Sequence, residues 1–185
     1  MNNPLSQESW LKQYYALRAG FSIAWVIAAL TVGKSAWAVG AVLLVAYPAW
    51  DAVANFIDAA RNGGLALNRS QAINFGVSLV TALAVALSLH SMQAVLGVFG
   101  AWAIVAGLLQ LATGVRRWKT SGAQWAMILS GGQSALAGGA FIFQALHTPE
   151  PPALATVVGY AGFGAFYFLV SALWLTVSAR RRKNA

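Results

Sequence analysis

The sequence predicts an all-α, polytopic membrane protein, with six transmembrane helices built as three parallel helical-hairpin repeats. Three observations carry that expectation. Of 185 residues, 59% are hydrophobic and 9% are charged, whereas a soluble domain carries about 25% charged residues. Six apolar windows, at 14–33, 37–58, 71–89, 94–115, 124–146 and 154–178, have the length of roughly 20 residues that crossing a bilayer requires. One short motif, finally, recurs at a fixed spacing along the chain.

The windows are separated by breakers. These are Gly33-Lys34-Ser35, the loop around Gly63-Gly64, His90-Ser91-Met92-Gln93, the segment from Arg116 to Gly122, and the proline-rich segment 147–152. At this hydrophobicity helices are the expected spanning form, because they satisfy their own backbone hydrogen bonds in lipid. No window is separated from the next by enough polar chain for a soluble domain, so 1–185 reads as a single membrane domain. Residues 1–38 also resemble a signal peptide, with "AWA" at 36–38 as a cleavage site. Glu8 and Arg18 fit that reading poorly, and the repeat requires the first helix.

The repeat is carried by "LRAGFS" at 17–22, "INFGVS" at 73–78 and "LSGGQS" at 129–134, each 56 residues after the last. Gly20, Gly76 and Gly132 share one register, as do Ser22, Ser78 and Ser134. On the even helices, "YPAWDAVANFIDAAR" at 47–61 aligns with "WAIVAGLLQLATGVR" at 102–116. That alignment pairs Tyr47 with Trp102, Asn55 with Gln110, Asp58 with Thr113 and Arg61 with Arg116. The third copy keeps only an aromatic start, "GYAGFG", and a basic end. The repeat bounds are about 12–62, 68–118 and 124–183. Two spans per copy make the copies parallel, around a pseudo-threefold axis along the membrane normal. Glycines of the odd helices are expected to let helix backbones approach, and Gly131, Ala135 and Gly139 form a small-residue face on helix 5.

Charge sets orientation. Eleven of the twelve Lys and Arg residues fall on one side of a six-span arrangement and only Lys34 falls on the other. By the positive-inside rule both termini are cytoplasmic. The net charge of +8 therefore reads as topology and not as nucleic-acid binding. The tail Arg180, Arg181, Arg182 and Lys183 is placed to touch anionic lipid. Trp10, Tyr14, Tyr15, Trp118 and Trp125 are expected in an inner aromatic belt and Trp37 in an outer one. With no cysteine, disulfides and thiolate chemistry are excluded. No cofactor, metal or catalytic set is expected: "GFS", "GVS" and "GQS" lack the strand and second glycine of a nucleophile elbow. His90 and His147 lie at the outer ends of helices 3 and 5, where two loop histidines are weak candidates for a pH sensor.

The helix at 46–61 is the anomaly. Asp51, Asn55 and Asp58 share one face at i, i+4 and i+7, and Pro48 removes a donor and frees the carbonyl of Leu44. Asp51 lies about 10 Å deeper than Asp58 at about 1.5 Å per residue. An isolated anion there would cost about 2.5–3.5 kcal/mol or more. The expected partners of Asp51 are Arg18, Asn74, Gln110 and Gln133, and those of Asp58 are Arg18 and Arg61.

The hairpin closing in "YPAWDA…AAR", repeated as "GAWAIVAGLLQLATGVRRW", resembles the short-repeat membrane family that includes the bacterial acid-resistance protein HdeD. The resemblance runs through all three hairpins. Tyr47, Asp51 and Arg61 match the family pattern in the first repeat, and Trp102, Gly107 and Arg116 in the second. Ala52 and Ala106 depart from it, and Pro48 is not part of it. The resemblance implies an inner-membrane protein linked to acid or general stress, without supplying an activity. The expected function is therefore non-enzymatic, through packing or protein interactions and with homo-oligomers among the partners. The alternative is a small-solute or proton transporter using a cytoplasm-facing site around Asp51. A sealed, fully bonded Asp51 would count against transport, and a cavity reaching it would count against interaction alone.

Overall fold

A computed structural model describes residues 4–120 and 122–183, with side chains from 8 to 120 and 122 to 182. It contains six long helices and, among the described residues, no strand. They are α1 (Pro4–Ala28), which continues as a wider π-helical turn over Ala29–Gly33, α2 (Trp37–Arg61), α3 (Arg69–Ser88), α4 (Met92–Arg117), α5 (Gln124–His147) and α6 (Leu154–Lys183). All six are long and apolar enough to cross a membrane. Every predicted window falls on one helix, because the breakers act as expected. Gly63 and Gly64 take positive φ of 97° and 91°, a region open to glycine at no steric cost. The amide of Gly64 donates back to Ala59 O at 2.8 Å, closing the end of α2.

The helices form a ring in which the closest pairs are α4 with α5, α1 with α6, and α2 with α3. Each of these pairs joins one predicted hairpin to the next, and α6 returns to α1. At the basic end of the bundle this closure is reinforced by Arg182, whose guanidinium donates to Glu8 Oε2 at 2.6 Å. The tail is therefore partly committed to the protein. The side chain of Lys183 lies outside the described residues.

The tightest seam is a glycine zipper. Gly100 and Gly107 of α4 face Gly138 and Gly131 of α5, with a seven-residue period on both helices that holds one seam over two turns. A Cβ on Gly107 would lie 2.6 Å from Gly131 O, and one on Gly131 would lie 2.6 Å from Gly107 O. Backbone contact of this kind is how helices gain dispersion energy in lipid. The register differs from the expected one. At Gly20, Gly76 and Gly139 a Cβ would meet nothing within 4 Å, and at Gly132 only Leu111 at 3.8 Å. Gly20, Gly76 and Gly132, the glycines that share the 56-residue register, thus do not mediate close approach. Pro48 does pack: α2 runs unbroken through it, and it is fully buried.

Two apolar cores stack along the bundle. One gathers Leu44, Tyr47, Phe99, Trp102 and Phe141. The other gathers Tyr14, Tyr15, Phe168 and Leu175. Tyr14 and Tyr15 are therefore core residues and not part of an aromatic belt, because the α1–α6 contact covers them. Trp37 and Trp118 are exposed, as belt residues would be.

Candidate functional site

The polar residues of the odd helices and of α2 converge on the middle of the ring. Asp51 is buried with both carboxylate oxygens bonded. Oδ1 accepts from the Arg18 guanidinium, and Oδ2 accepts from Asn55 Nδ2 at 3.0 Å and Ser78 Oγ at 2.9 Å. Of the expected partners only Arg18 reaches it. Asn74, Gln110 and Gln133 line the same cavity without bonding it. Arg18 arrives from about 21 Å along α1, which begins at Pro4 and rises about 1.5 Å per residue. Its Nη1 donates to Tyr14 Oη at 3.0 Å, and its guanidinium carbon sits 4.3 Å from the Phe168 ring centroid. A buried ion pair holds only when further hydrogen bonds satisfy it, and here α1, α2, α3 and α6 all contribute.

Asp58 has partners other than those expected. Arg18 is taken by Asp51, and Arg61 stacks over the Trp10 ring at 5.0 Å. Asp58 instead accepts from Trp10 Nε1 at 3.2 Å, Asn62 Nδ2 at 2.9 Å and Gln71 Nε2 at 3.1 Å. Arg117 pairs with it at 3.5 Å. Arg117 comes from α4, and no spacing rule in the sequence points across that distance. His90 and His147 close their own helices, with Nδ1 at 3.1 Å from Leu87 O and 2.9 Å from Phe143 O.

The motif serines meet aromatic residues inside the even helices. Ser78 Oγ accepts from Trp102 Nε1 at 2.9 Å. Ser134 Oγ lies 2.7 Å from Tyr160 Oη and donates to Ala103 O at 3.0 Å. Ser22 lines the same wall as Tyr47. The three aromatics themselves form a triangle, with ring centroids 6.0 Å apart for Tyr47–Trp102, 6.0 Å for Trp102–Tyr160 and 6.4 Å for Tyr47–Tyr160.

Beside this triangle lies a cavity of about 290 Å³. Its inner wall holds Arg18, Trp50, Asp51, Asn74 and Gln110, and its outer wall is formed by facing rows of α5 and α6. A smaller cavity of about 40 Å³ lies alongside, lined by Asp58, Ser70, Gln71 and Arg117. Arg18, Asn74 and Gln110 border both. Three polar atoms of residues that line the larger cavity, Arg18 Nε, Trp50 Nε1 and Asn74 Oδ1, are buried without a partner in the protein and are sealed from its open space. Each such atom costs about 1–3 kcal/mol if left unsatisfied.

Residues 76–143 match a family model described as a short repeat of unknown function (DUF308). The matched segment runs from within α3 through α4 and most of α5, so it contains the whole Gly100–Gly138 and Gly107–Gly131 seam. It agrees with the family to which the sequence was likened. No curated protein and no solved structure matches the chain.

Proposed function

We propose that this protein is a non-enzymatic inner-membrane protein that binds a small molecule in its central cavity. The observation that carries this reading is a cavity of about 290 Å³ whose lining includes the polar residues Asn74, Gln110, Ser130 and Gln133 beside the Arg18–Asp51 pair. A bundle that acted only through its packing surfaces would fill such a space with side chains. Of the two functions drawn from the sequence, the solute site is therefore favoured over action through protein contacts. Asp51 has a different part from the one expected of a proton carrier. With Arg18, Asn55 and Ser78 on its oxygens it anchors the cavity wall. Gln110 and Asn74, shared with the smaller cavity near the basic end, supply a polar route towards the cytoplasmic face assigned by the Lys and Arg bias.

We read the chain as three hairpin repeats, supported by the Tyr47–Trp102–Tyr160 triangle, by serines 56 residues apart beside those aromatics, and by the return of α6 to α1. A role in acid or general stress rests on the HdeD resemblance, and contact of the basic tail with anionic lipid rests on its charge. The test uses the cysteine-free chain. In membranes, Gln110→Cys should react with a water-soluble, membrane-impermeant thiol reagent applied from the basic-loop side. Leu83→Cys, on the exposed apolar face of α3, should not. An unreactive Gln110→Cys would show the cavity closed to that side and sink the proposed route.

A further inference from the structure

We infer that the cavity admits the hydrocarbon chain of a bilayer lipid, sideways, through a mouth between α5 and α6. This rests on the reading that the cavity takes a ligand, and it adds the ligand's source and its entrance.

Exposure places the mouth. Among the residues that line the cavity, only Gly159 and Phe163 are exposed, Phe163 by 56%. Both lie on α6, on the arc between its lining positions Thr156, Tyr160 and Tyr167 and its outward positions Ala155 and Phe166. On α5 the facing rim is Gln133 and Ala137, both half-buried, beside the outward Leu136 and Ala140. A Cβ at Gly159 would meet nothing within 4 Å, whereas towards α4 a Cβ at Gly138 would lie 2.4 Å from Gly100 O. Helix α5 is thus sealed against α4 and stands apart from α6.

Depth decides what stands at that mouth. Helix α6 begins at Leu154, so Gly159 and Phe163 lie roughly 8 and 14 Å along it at about 1.5 Å per residue. Both fall inside the span Leu154–Arg182, where the surface meets the hydrocarbon of a core about 30 Å thick. Towards the outer loops the ring closes on Leu44, Val85, Leu96, Phe99 and Val157, all fully buried, so outer water has no path to the cavity. The lining beside the mouth is apolar: Ala137, Phe141, Tyr160 and Phe163. A hydrocarbon chain brings no polar group that would need a partner there. It also gives those rings the dispersion contacts that an unfilled space forfeits. The volume of about 290 Å³ lies at the lower end of the range of about 300–1,000 Å³ for ligand pockets. That suits one chain, with the lipid head left at its own depth in the bilayer. Asn74 and Gln110, deeper in, stay on the side of the smaller cavity.

The test irradiates the full protein in bilayers of phosphatidylcholine that carries a photoreactive diazirine at its chain end, and maps the adducts by mass spectrometry. Adducts are expected on the interior residues Trp102 and Phe141, 4% and 8% exposed, as well as on the lipid-facing Leu136. Gly159→Trp, which fills the mouth, should lower the interior adducts relative to Leu136 roughly tenfold, equivalent to about 1.4 kcal/mol against entry. Ala137→Phe narrows the mouth from α5 and replaces Gly159→Trp if the latter does not fold, with thermal unfolding verifying each. Adducts on Leu136 alone would mean annular lipid only and overturn the proposal. Interior adducts that neither variant lowers would overturn the mouth between α5 and α6. Interior adducts from a small water-soluble diazirine, with none from the lipid, would mean a water-filled cavity, overturning the lipid chain and leaving the cavity reading intact. Interior lipid adducts beside an unreactive Gln110→Cys would support the lateral mouth while the polar route fell. If neither diazirine labels the interior and Gln110→Cys is unreactive, both readings fail together.

Discussion

The two faces of α5 are built on opposite plans. Towards α4, Gly131 and Gly138 bring backbone against backbone, with Gly131 O 2.6 Å from where a Cβ on Gly107 would sit. Towards α6, Ser130, Gln133 and Ala137 wall a cavity of about 290 Å³, while Ser134 bridges the two faces, donating to Ala103 O of α4 and meeting Tyr160 Oη of α6. The first face is glycine, and the second mixes polar and apolar side chains. Glycine without side-chain polar atoms lets two helices close until no ligand fits. Hydroxyl and amide groups need partners, and where the neighbouring helix supplies too few, space remains for another molecule. The seam thus acts as a rigid back wall for the cleft.

This contrast can be tested from the largest expected effect to the smallest. The cleft depends on its ion pair, whose side chains are 14% and 7% exposed. Asp51→Ala should destabilise the protein by about 3–5 kcal/mol, the cost of leaving one buried charge alone. Denaturant unfolding in detergent measures it, and Arg18→Met combined with Asp51→Leu should recover most of the loss. If Asp51→Ala is neutral, the pair does not hold the inner wall. The seam comes next. Gly107→Ala should cost about 1–3 kcal/mol by overpacking against α5, read as a fall in unfolding midpoint. Ser134→Ala removes bonds to Tyr160 and Ala103 O and should cost about 1 kcal/mol. Smallest of all, Gly76→Ala and Gly139→Ala should stay within about 0.5 kcal/mol of the parent, because their Cβ positions are open. Gly139 is one residue from the seam glycine Gly138. Equal costs at Gly107 and Gly139 would erase the distinction between the faces.

Legibility differed along the same line. The 56-residue motif pointed to Ser22, Ser78 and Ser134, which do lie in the interior. The same motif pointed to Gly20, Gly76 and Gly132 as approach points, whereas the approach occurs at Gly100, Gly107 and Gly138, and at Gly131 of the expected small-residue face. A seven-residue spacing of Gly100, Gly107 and Gly114 was present in the chain as a signal. It was hidden because glycine is common in membrane helices, so a repeat copied three times drew the reading elsewhere. Asp51 with Arg18 was legible, since an intramembrane acid demands a cation at similar depth. Arg117 on Asp58, 59 residues away, was not, because charge bias reports which side a residue is on and nothing of its neighbours.

By itself the sequence determined the number of helices and the loops that separate them. Those properties follow from one-dimensional constraints: a bilayer sets the length of each span, and glycine and proline mark the turns. Only the tertiary structure decided which face of each helix looks inward, which glycines touch, and that a cavity opens between α5 and α6. In a soluble protein the apolar stripe would reveal the inward face. In lipid both faces are apolar, so periodicity carries little of that information, and the packing itself must choose.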